Sequence, residues 1–219
     1  MKLTQYLSQL QANNNRPWFQ AHRAEFDTLR EQWYERLDRL FMLCSPWEPA
    51  AGYTDGRSAS YRIYRDTRFS PDKTPYKTYF SARLEPRHTF GARAGWYIQA
   101  GTDRDSSGIF GGLWAPDSAQ LRKLRHAIVD NIEEFNQIMA EPELRRLYPD
   151  WWGPRLKTAP KGWPKDHPQI ELLRLQHYGL EHPVDASFFD RPDWPEHAAA
   201  LMRPLKPLID FLNYSLTEE

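Results

Sequence analysis

Apolar residues recur at helical spacing through the first forty positions of the chain. One face of a predicted short helix over residues 3–12 carries four of them: Leu3, Tyr6, Leu7 and Leu10. A longer helix is predicted over residues 17–43, because apolar residues recur there at spacings of three, four and seven: Phe19, Phe26, Leu29, Trp33, Leu37 and Leu40. Asn15 is placed to cap this helix, since an Asn side chain accepts a hydrogen bond from the free N–H groups of a first turn.

The pattern changes to short β-branched and aromatic segments in the middle of the chain. Four strands are predicted there, bounded by Pro, Gly and Asp: residues 60–66, 77–84, 94–100 and 107–114. Because these strands follow one another at short separations, we expect an antiparallel meander. A fifth strand is expected at residues 175–181.

Helical spacing returns after the predicted meander. A helix is predicted over residues 116–140 with a break at Asp130, and a short helix opens at residues 141–143. Capping-box patterns occur at Asp166–Gln169 and at Asp193–Glu196. Pro204 and Pro207 should kink or split the last helix, because proline removes a helical donor and clashes with the preceding turn.

The order of helices, then strands, then helices is typical of an α+β fold. We therefore expect an antiparallel sheet of four to five strands, with the long N-terminal helix and the C-terminal helices packed on it. No repeat or Gly/Ser linker divides the sequence, so we expect a single domain of residues 1–219.

Composition and charge exclude several classes of protein. Thirty-one aromatic residues among 219 can build a sizeable core, which argues against disorder. No apolar run reaches the roughly 18 residues of a membrane span. The 29 basic residues balance the 29 acidic ones, which argues against a general nucleic-acid coat protein. With one cysteine, Cys44, and no secretory apolar segment, we expect a cytoplasmic protein.

The densest cluster of charged residues spans residues 62–78. It holds five basic and two acidic residues in a chain without net charge. On a strand, Arg62, Tyr64 and Asp66 would share one face, and Arg68 would join them if the strand continued. Two arginines that flank a carboxylate can fix each other and bind a phosphate or carboxylate through their spare donors. The candidate ligand-binding residues here are Arg62, Asp66, Arg68, Lys73, Tyr76 and Lys77. The alternative is an exposed strand whose charges pair across the sheet.

A second basic segment spans residues 155–168, with four basic residues and one acid. Lys161 and Lys165 precede a predicted helix start, where free N–H groups favour an anion. His167 could act as a general acid or base at neutral pH. The candidate ligand-binding residues in this segment are Lys161, Lys165, Asp166 and His167. The alternative is structural, with Asp166 as a helix cap and His167 packed beside it.

Four segments in this order resemble one family over nearly the whole chain: residues 13–19 (NNNRPWF), 62–78 (RIYRDTRFSPDKTPYKT), 95–116 and 160–168 (PKGWPKDHP). The chain is thereby similar to the bacterial and fungal domain-of-unknown-function family 2461. The resemblance implies no activity, cofactor or catalytic residue.

Three functions remain open at this stage. The first is a pocket for a phosphorylated or carboxylated small molecule, in which the two basic segments converge. The second is a nucleic-acid-binding module that uses Tyr64, Tyr76 and Trp163 as stacking residues. The third is a scaffold that binds a protein partner through an aromatic surface. The sequence carries no zinc-type spacing and no nucleotide-binding glycine motif, so no metal, no cofactor and no membrane partner are expected, and whether the protein is an enzyme stays open.

Overall fold

The fold is α+β, as the order of the sequence patterns indicates. A computed structural model describes residues 1–84 and 93–217. Its sheet has five antiparallel strands in the order β1-β2-β3-β5-β4: β1 (Phe80–Arg83), β2 (Gly95–Ala100), β3 (Gly108–Leu113), β4 (Trp151–Trp152) and β5 (Tyr178–Pro183). The α-helices of the described residues are α1 (Leu3–Ala12), α2 (Arg16–Ala21), α3 (Arg23–Cys44), α4 (Gly56–Ala59), α5 (Ser118–Asp130), α6 (Ile132–Ala140), α7 (Pro142–Leu147), α8 (Ile170–Leu173), α9 (Trp194–Met202) and α10 (Lys206–Thr217). No helix of this described part is both long and apolar enough to cross a membrane.

The described residues group into two compact units, each built from three separate stretches of chain. The first unit comprises residues 1–84, 97–109 and 183–203, and the second comprises residues 93–96, 110–182 and 204–217. The single domain expected from the sequence stays a prediction.

The first unit has α3 at its centre. Trp33 on this helix stacks on Trp194 at a centroid distance of 5.4 Å and meets Phe80 edge-on at 5.8 Å. The residues predicted to pack this helix, Phe19, Phe26, Trp33 and Leu37, are all buried. Burial of these apolar side chains stabilises the helical segment, although its other face is strongly charged.

The helix predicted over residues 17–43 is broken in the structure. The backbone at His22 leaves the helical region with φ −110° and ψ 23°, which separates α2 from α3. The His22 ring bonds the Trp18 carbonyl oxygen at 2.9 Å and stacks on the Trp18 ring at 4.0 Å. The predicted cap is confirmed, because the Asn15 side chain accepts a hydrogen bond from the Trp18 N–H at 3.0 Å.

The strand predicted over residues 60–66 is also wrong. This segment makes only isolated bridges, Ser60 to Ala82 and Tyr64 to Tyr76. Three residues lie between Ser60 and Tyr64, whereas five lie between Tyr76 and Ala82, so the two bridges cannot belong to one regular ladder. Pro75 has no N–H to extend the pairing beyond Tyr76.

The second unit contains α5 to α8 and α10. The predicted break near Asp130 is confirmed at Asn131, where φ is −118°, between α5 and α6. Phe135 of α6 packs on Phe211 of α10 at 5.3 Å, and Trp151 of β4 stacks on Phe135 at 6.0 Å. The two-residue strand β4 was not predicted from the sequence, because a pair of residues is too short to show alternation.

Both capping boxes predicted from the sequence are wrong. Helix α8 begins after Gln169, whose side chain caps nothing, and the Gln169 N–H instead donates to His167 Nδ1 at 3.0 Å. Asp193 precedes α9, but its carboxylate bonds Arg191 and His197 and makes no cap. At Asp193 the charged partners therefore compete successfully with the backbone N–H groups for the carboxylate. The predicted split of the last helix is confirmed, since a 3-10 turn at Arg203–Leu205 separates α9 from α10.

Candidate functional site

A cavity of about 130 Å³ lies in the first unit between α3 and the segment 60–64. Three arginines line it: Arg23, Arg30 and Arg62. Six aromatic rings line the remaining walls together with Ser60 and Ile63: Phe26, Trp33, Tyr34, Tyr61, Tyr64 and Phe80. The site therefore combines guanidinium groups with aromatic surface.

Helical geometry explains how α3 supplies half of this lining. Its lining residues are separated by three, four, three and one positions, which places them along one stripe of the helix: Arg23, Phe26, Arg30, Trp33 and Tyr34. The opposite wall is five consecutive residues, 60–64, and a regular strand could not turn them all to one side. Ser60 ties the two walls together, because its Oγ accepts a hydrogen bond from Trp33 Nε1 at 3.0 Å.

Two of the lining arginines are held in place by carboxylates of α3. Arg23 Nε donates to Asp27 Oδ2 at 2.9 Å, and this bond raises the pKa of Arg23. Arg30 pairs with Asp27 at 3.1 Å and with Glu31 at 3.2 Å. The Arg30 guanidinium also lies over the Phe26 ring at 5.4 Å, a favourable cation–π position. These guanidiniums are preorganised, but part of their charge is already neutralised.

Arg62 differs from Arg23 and Arg30, the two lining arginines that carboxylates hold in place. Its side chain is exposed at the cavity, and across residues 1–84 and 93–217 it makes no hydrogen bond or ion pair. The Arg30 Nε also has no hydrogen-bond partner among the described residues, but it is buried. The cavity thus presents donors that a bound anion would satisfy.

The other predicted residues of the first basic segment are occupied elsewhere, and in the described chain none of them lines this cavity. Arg68 clamps Asp66 with Nε and Nη2 at 3.0 and 2.7 Å, so the predicted pairing of Asp66 is confirmed. This bond, with Arg62 as a minor contributor, lowers the pKa of Asp66 to about 2. Lys73 donates to the Thr67 carbonyl oxygen at 2.8 Å.

Tyr76 and Lys77 are placed by packing. Tyr76 is buried, its ring stacks on Phe19 at 4.0 Å, and its backbone exchanges hydrogen bonds with the Asn14 side chain. The Lys77 Nζ lies over the ring of Tyr61, a lining residue, at 5.4 Å. Tyr76 therefore helps to hold the segment in place through its contacts with Phe19 and Asn14. Lys77 contacts a lining residue but does not itself line the cavity.

The second basic segment belongs to the second unit. Lys161, Lys165 and Asp166 are exposed, and His167 is half-buried with its ring edge-on to Trp163 at 5.1 Å. Because the two basic segments fall in different units, their convergence on one cavity stays a prediction.

Sequence reasoning missed Arg23 and Arg30. Both arginines alternate with acidic residues along α3, since Arg23 precedes Asp27 and Arg30 follows it, a pattern typical of a solvated helix face. The signal that could have found them is their helical spacing with Phe26 and Trp33, since an arginine beside a buried aromatic stripe stands at the edge of the core.

The lining carries few of the side chains that acid–base or nucleophilic chemistry most often uses. Among the described lining residues there is no His, Cys, Asp or Glu. The Ser60 hydroxyl donates to the Gly56 carbonyl oxygen at 2.6 Å while it accepts from Trp33, so it is not poised as a nucleophile. Outside residues 85–92 and 218–219, no group of three or more His, Cys, Asp or Glu could hold a metal ion.

Comparison with known proteins agrees with the resemblance seen in the sequence. No curated protein matches the chain significantly. No solved structure does so either. The model of the family described as "Conserved hypothetical protein (DUF2461)" matches residues 2–211, which is almost the entire chain. The match includes both walls of the arginine-lined cavity, and the protein belongs to the DUF2461 family.

Proposed function

We propose that this protein binds a small phosphorylated or carboxylated ligand in the cavity between α3 and residues 60–64. The observation that carries the proposal is Arg62, a guanidinium that lines a cavity beside two fixed arginines and makes no hydrogen bond or ion pair with the described residues. Charge-assisted bonds from arginine to carboxylate or phosphate are about twice as strong as neutral hydrogen bonds.

The balance of charge around the cavity supports this proposal. Within the part of the chain that the structure describes, Arg23, Arg30 and Arg57 are linked by ion pairs to two carboxylates, Asp27 and Glu31. Positive charge is therefore in excess even before Arg62 is counted. Like charges held close together repel, and an anion that binds among them relieves the repulsion.

The volume of the cavity limits the size of what it encloses. An engineered protein cavity of about 150 Å³ holds one benzene molecule, and pockets for drug-sized ligands are larger, about 300–1,000 Å³. At about 130 Å³ this cavity holds a single small group. The ligand is accordingly a small anion or the end group of a larger molecule.

Thermal unfolding with a panel of anions tests the proposal. The panel holds inorganic phosphate, sulfate, small carboxylates, sugar phosphates, nucleotides and a single-stranded oligonucleotide. A ligand at a hundred times its dissociation constant stabilises the folded state by roughly 2.7 kcal/mol, so at least one small anion should raise the melting temperature clearly.

Two arginine variants locate the binding site. Arg62→Gln should abolish the shift, and Arg122→Gln, which removes an exposed arginine of the second unit, should preserve it. No shift with any small anion, or an equal shift for the wild type and Arg62→Gln, would contradict the proposal. A shift with the oligonucleotide alone would favour the nucleic-acid-binding module instead.

A further inference from the structure

The polarity of the cavity lining changes with depth. Four of its five most buried members are apolar: Phe26, Trp33, Ile63 and Phe80 are between 3 and 6% exposed. The fifth, Ser60, is 4% exposed, but its hydroxyl is already bonded to Trp33 and to the Gly56 carbonyl oxygen. The remaining polar members are more exposed, since Tyr64 is 45% exposed, the Arg23 side chain is 41% exposed and Arg62 is also exposed. The cavity has an apolar floor beneath a charged mouth.

An inorganic anion fits only half of this arrangement. At the mouth it would bond the guanidiniums, but the apolar floor would stay without a partner. Deeper in, it would lose its hydration against rings that offer no donors, and such burial of an ion is strongly unfavourable. A neutral apolar molecule would fill the floor and leave Arg62 unpaired.

We infer that the ligand is an amphiphilic monocarboxylate, with one aromatic ring or a short branched alkyl group on the floor and its carboxylate at Arg62. This inference rests on the proposed function and names the class of its ligand. The planar guanidinium fork matches a carboxylate through two parallel N–H···O bonds. The aromatic walls, Phe26 and Phe80 above all, suit a flat ring in edge-on or offset contact.

The volume sets the size of the apolar group. About 130 Å³ lies just under the cavity volume that holds one benzene ring, so one ring fits on the floor and two fused rings do not. The head group then stays at the mouth, where Arg62 is exposed.

Titration calorimetry on the full chain with five probes tests the inference. Benzoate carries both features, acetate carries only the head group, benzyl alcohol carries only the ring, 2-naphthoate exceeds the volume, and inorganic phosphate is a pure anion. Benzoate should bind at least tenfold more tightly than each of the other four. Arg62→Gln should reduce benzoate affinity at least tenfold and leave benzyl alcohol unchanged.

The outcomes separate this inference from the proposed function. If phosphate or acetate binds as tightly as benzoate and Arg62→Gln abolishes that binding, the ligand class is wrong and the anion site stands. If 2-naphthoate binds as well as benzoate, the ring does not occupy the cavity floor and the inference fails. If none of the anions binds, both proposals fail. The variant Phe80→Leu, which trims one ring of the floor, should weaken benzoate more than acetate, and equal losses would contradict the role of the floor.

Discussion

Arg65 and Arg68 are already bonded to neighbouring side chains, so the basic segment 62–78 has less unpaired positive charge than its sequence indicates. Arg65 bonds Asp72 and Thr74, and Arg68 bonds Asp66. Two of the five positive charges counted in the segment are therefore neutralised by neighbouring carboxylates, whereas Arg62 makes no ion pair with the described residues. A count of charges along the chain cannot distinguish paired from unpaired arginines, because the pairing depends on the conformation of the loop.

The exposed pairs made by Asp66 and Asp72 predict that the stability of the fold depends weakly on pH in the acidic range. Arg68 and Thr74, the main partners of Asp66 and Asp72 respectively, lower both carboxyl pKa values to about 2, below the ordinary value near 3.9. A depressed pKa in the folded state contributes stability above about pH 4, and this contribution is lost as the pH falls toward 2. Asp72→Asn should thus lower the melting temperature slightly at pH 6, and the difference from wild type should close near pH 2.

High salt supplies the check on this acid effect. Both carboxylates are exposed, so 1 M NaCl should shrink the difference at pH 6. Asp105→Asn alters an exposed carboxylate that makes no ion pair with the described residues, and it should show neither the pH nor the salt dependence. A difference that persists unchanged from pH 6 to pH 2 would show that Asp72 stabilises the loop without its charge.

The backbone conformation of Ala115 predicts that its replacement by glycine does not destabilise the protein. Its φ is +46°, a left-handed conformation that costs an L-residue about 1–2 kcal/mol, and its N–H donates to His177 Nδ1 at 2.8 Å. Ala115→Gly should leave the free energy of unfolding unchanged or raise it by up to about 1 kcal/mol, since glycine relieves this strain. Ala127→Gly within α5 should instead lower it by about 0.5–1 kcal/mol, and urea titration of both variants measures the contrast. Equal losses would show that Ala115 is not strained.

Elements with strong local signals were predicted well from the sequence. The cap at Asn15, the break between α5 and α6 and the split before α10 depend on residues within one or two turns. The capping box at Asp193 failed because the Asp193 carboxylate bonds Arg191 and His197 instead, and the box at Asp166 failed because α8 begins only after Gln169. The strand at 60–66 failed because its partner segment holds two extra residues between the bridges, which alternation within one segment cannot reveal.

Alanine substitutions at two glycines with positive φ distinguish the cost of backbone strain from the cost of a steric clash. At Gly162 φ is +92° and a Cβ would meet nothing within 4 Å. At Gly112 in β3 φ is +131° and a Cβ would lie 2.1 Å from the Tyr178 carbonyl oxygen on β5. Gly162→Ala should therefore cost about 1–2 kcal/mol, and Gly112→Ala should cost clearly more because strand pairing must also yield. Chemical denaturation of both variants measures the order, and a reversed order would contradict the pairing of β3 with β5.

At the scale of the whole molecule, the candidate site lies within one of the two units. Arg62 was predicted from the sequence, whereas Arg23 and Arg30 were not. Arg23 and Arg30 line the cavity together with residues 60–64, which come about thirty to forty positions later in the chain. Periodicity within either segment carries no information about such a long-range contact. The sequence therefore indicated Arg62 in one wall of the cavity, and the structure supplies the second wall.

A crystal structure with the most stabilising small anion tests the central claim most directly. Anion density should occupy the cavity between α3 and residues 60–64, with its oxygen atoms within hydrogen-bond distance of the Arg62 guanidinium. Density only at Arg68 or Lys73, or an empty cavity in crystals that hold the anion elsewhere, would contradict the claim.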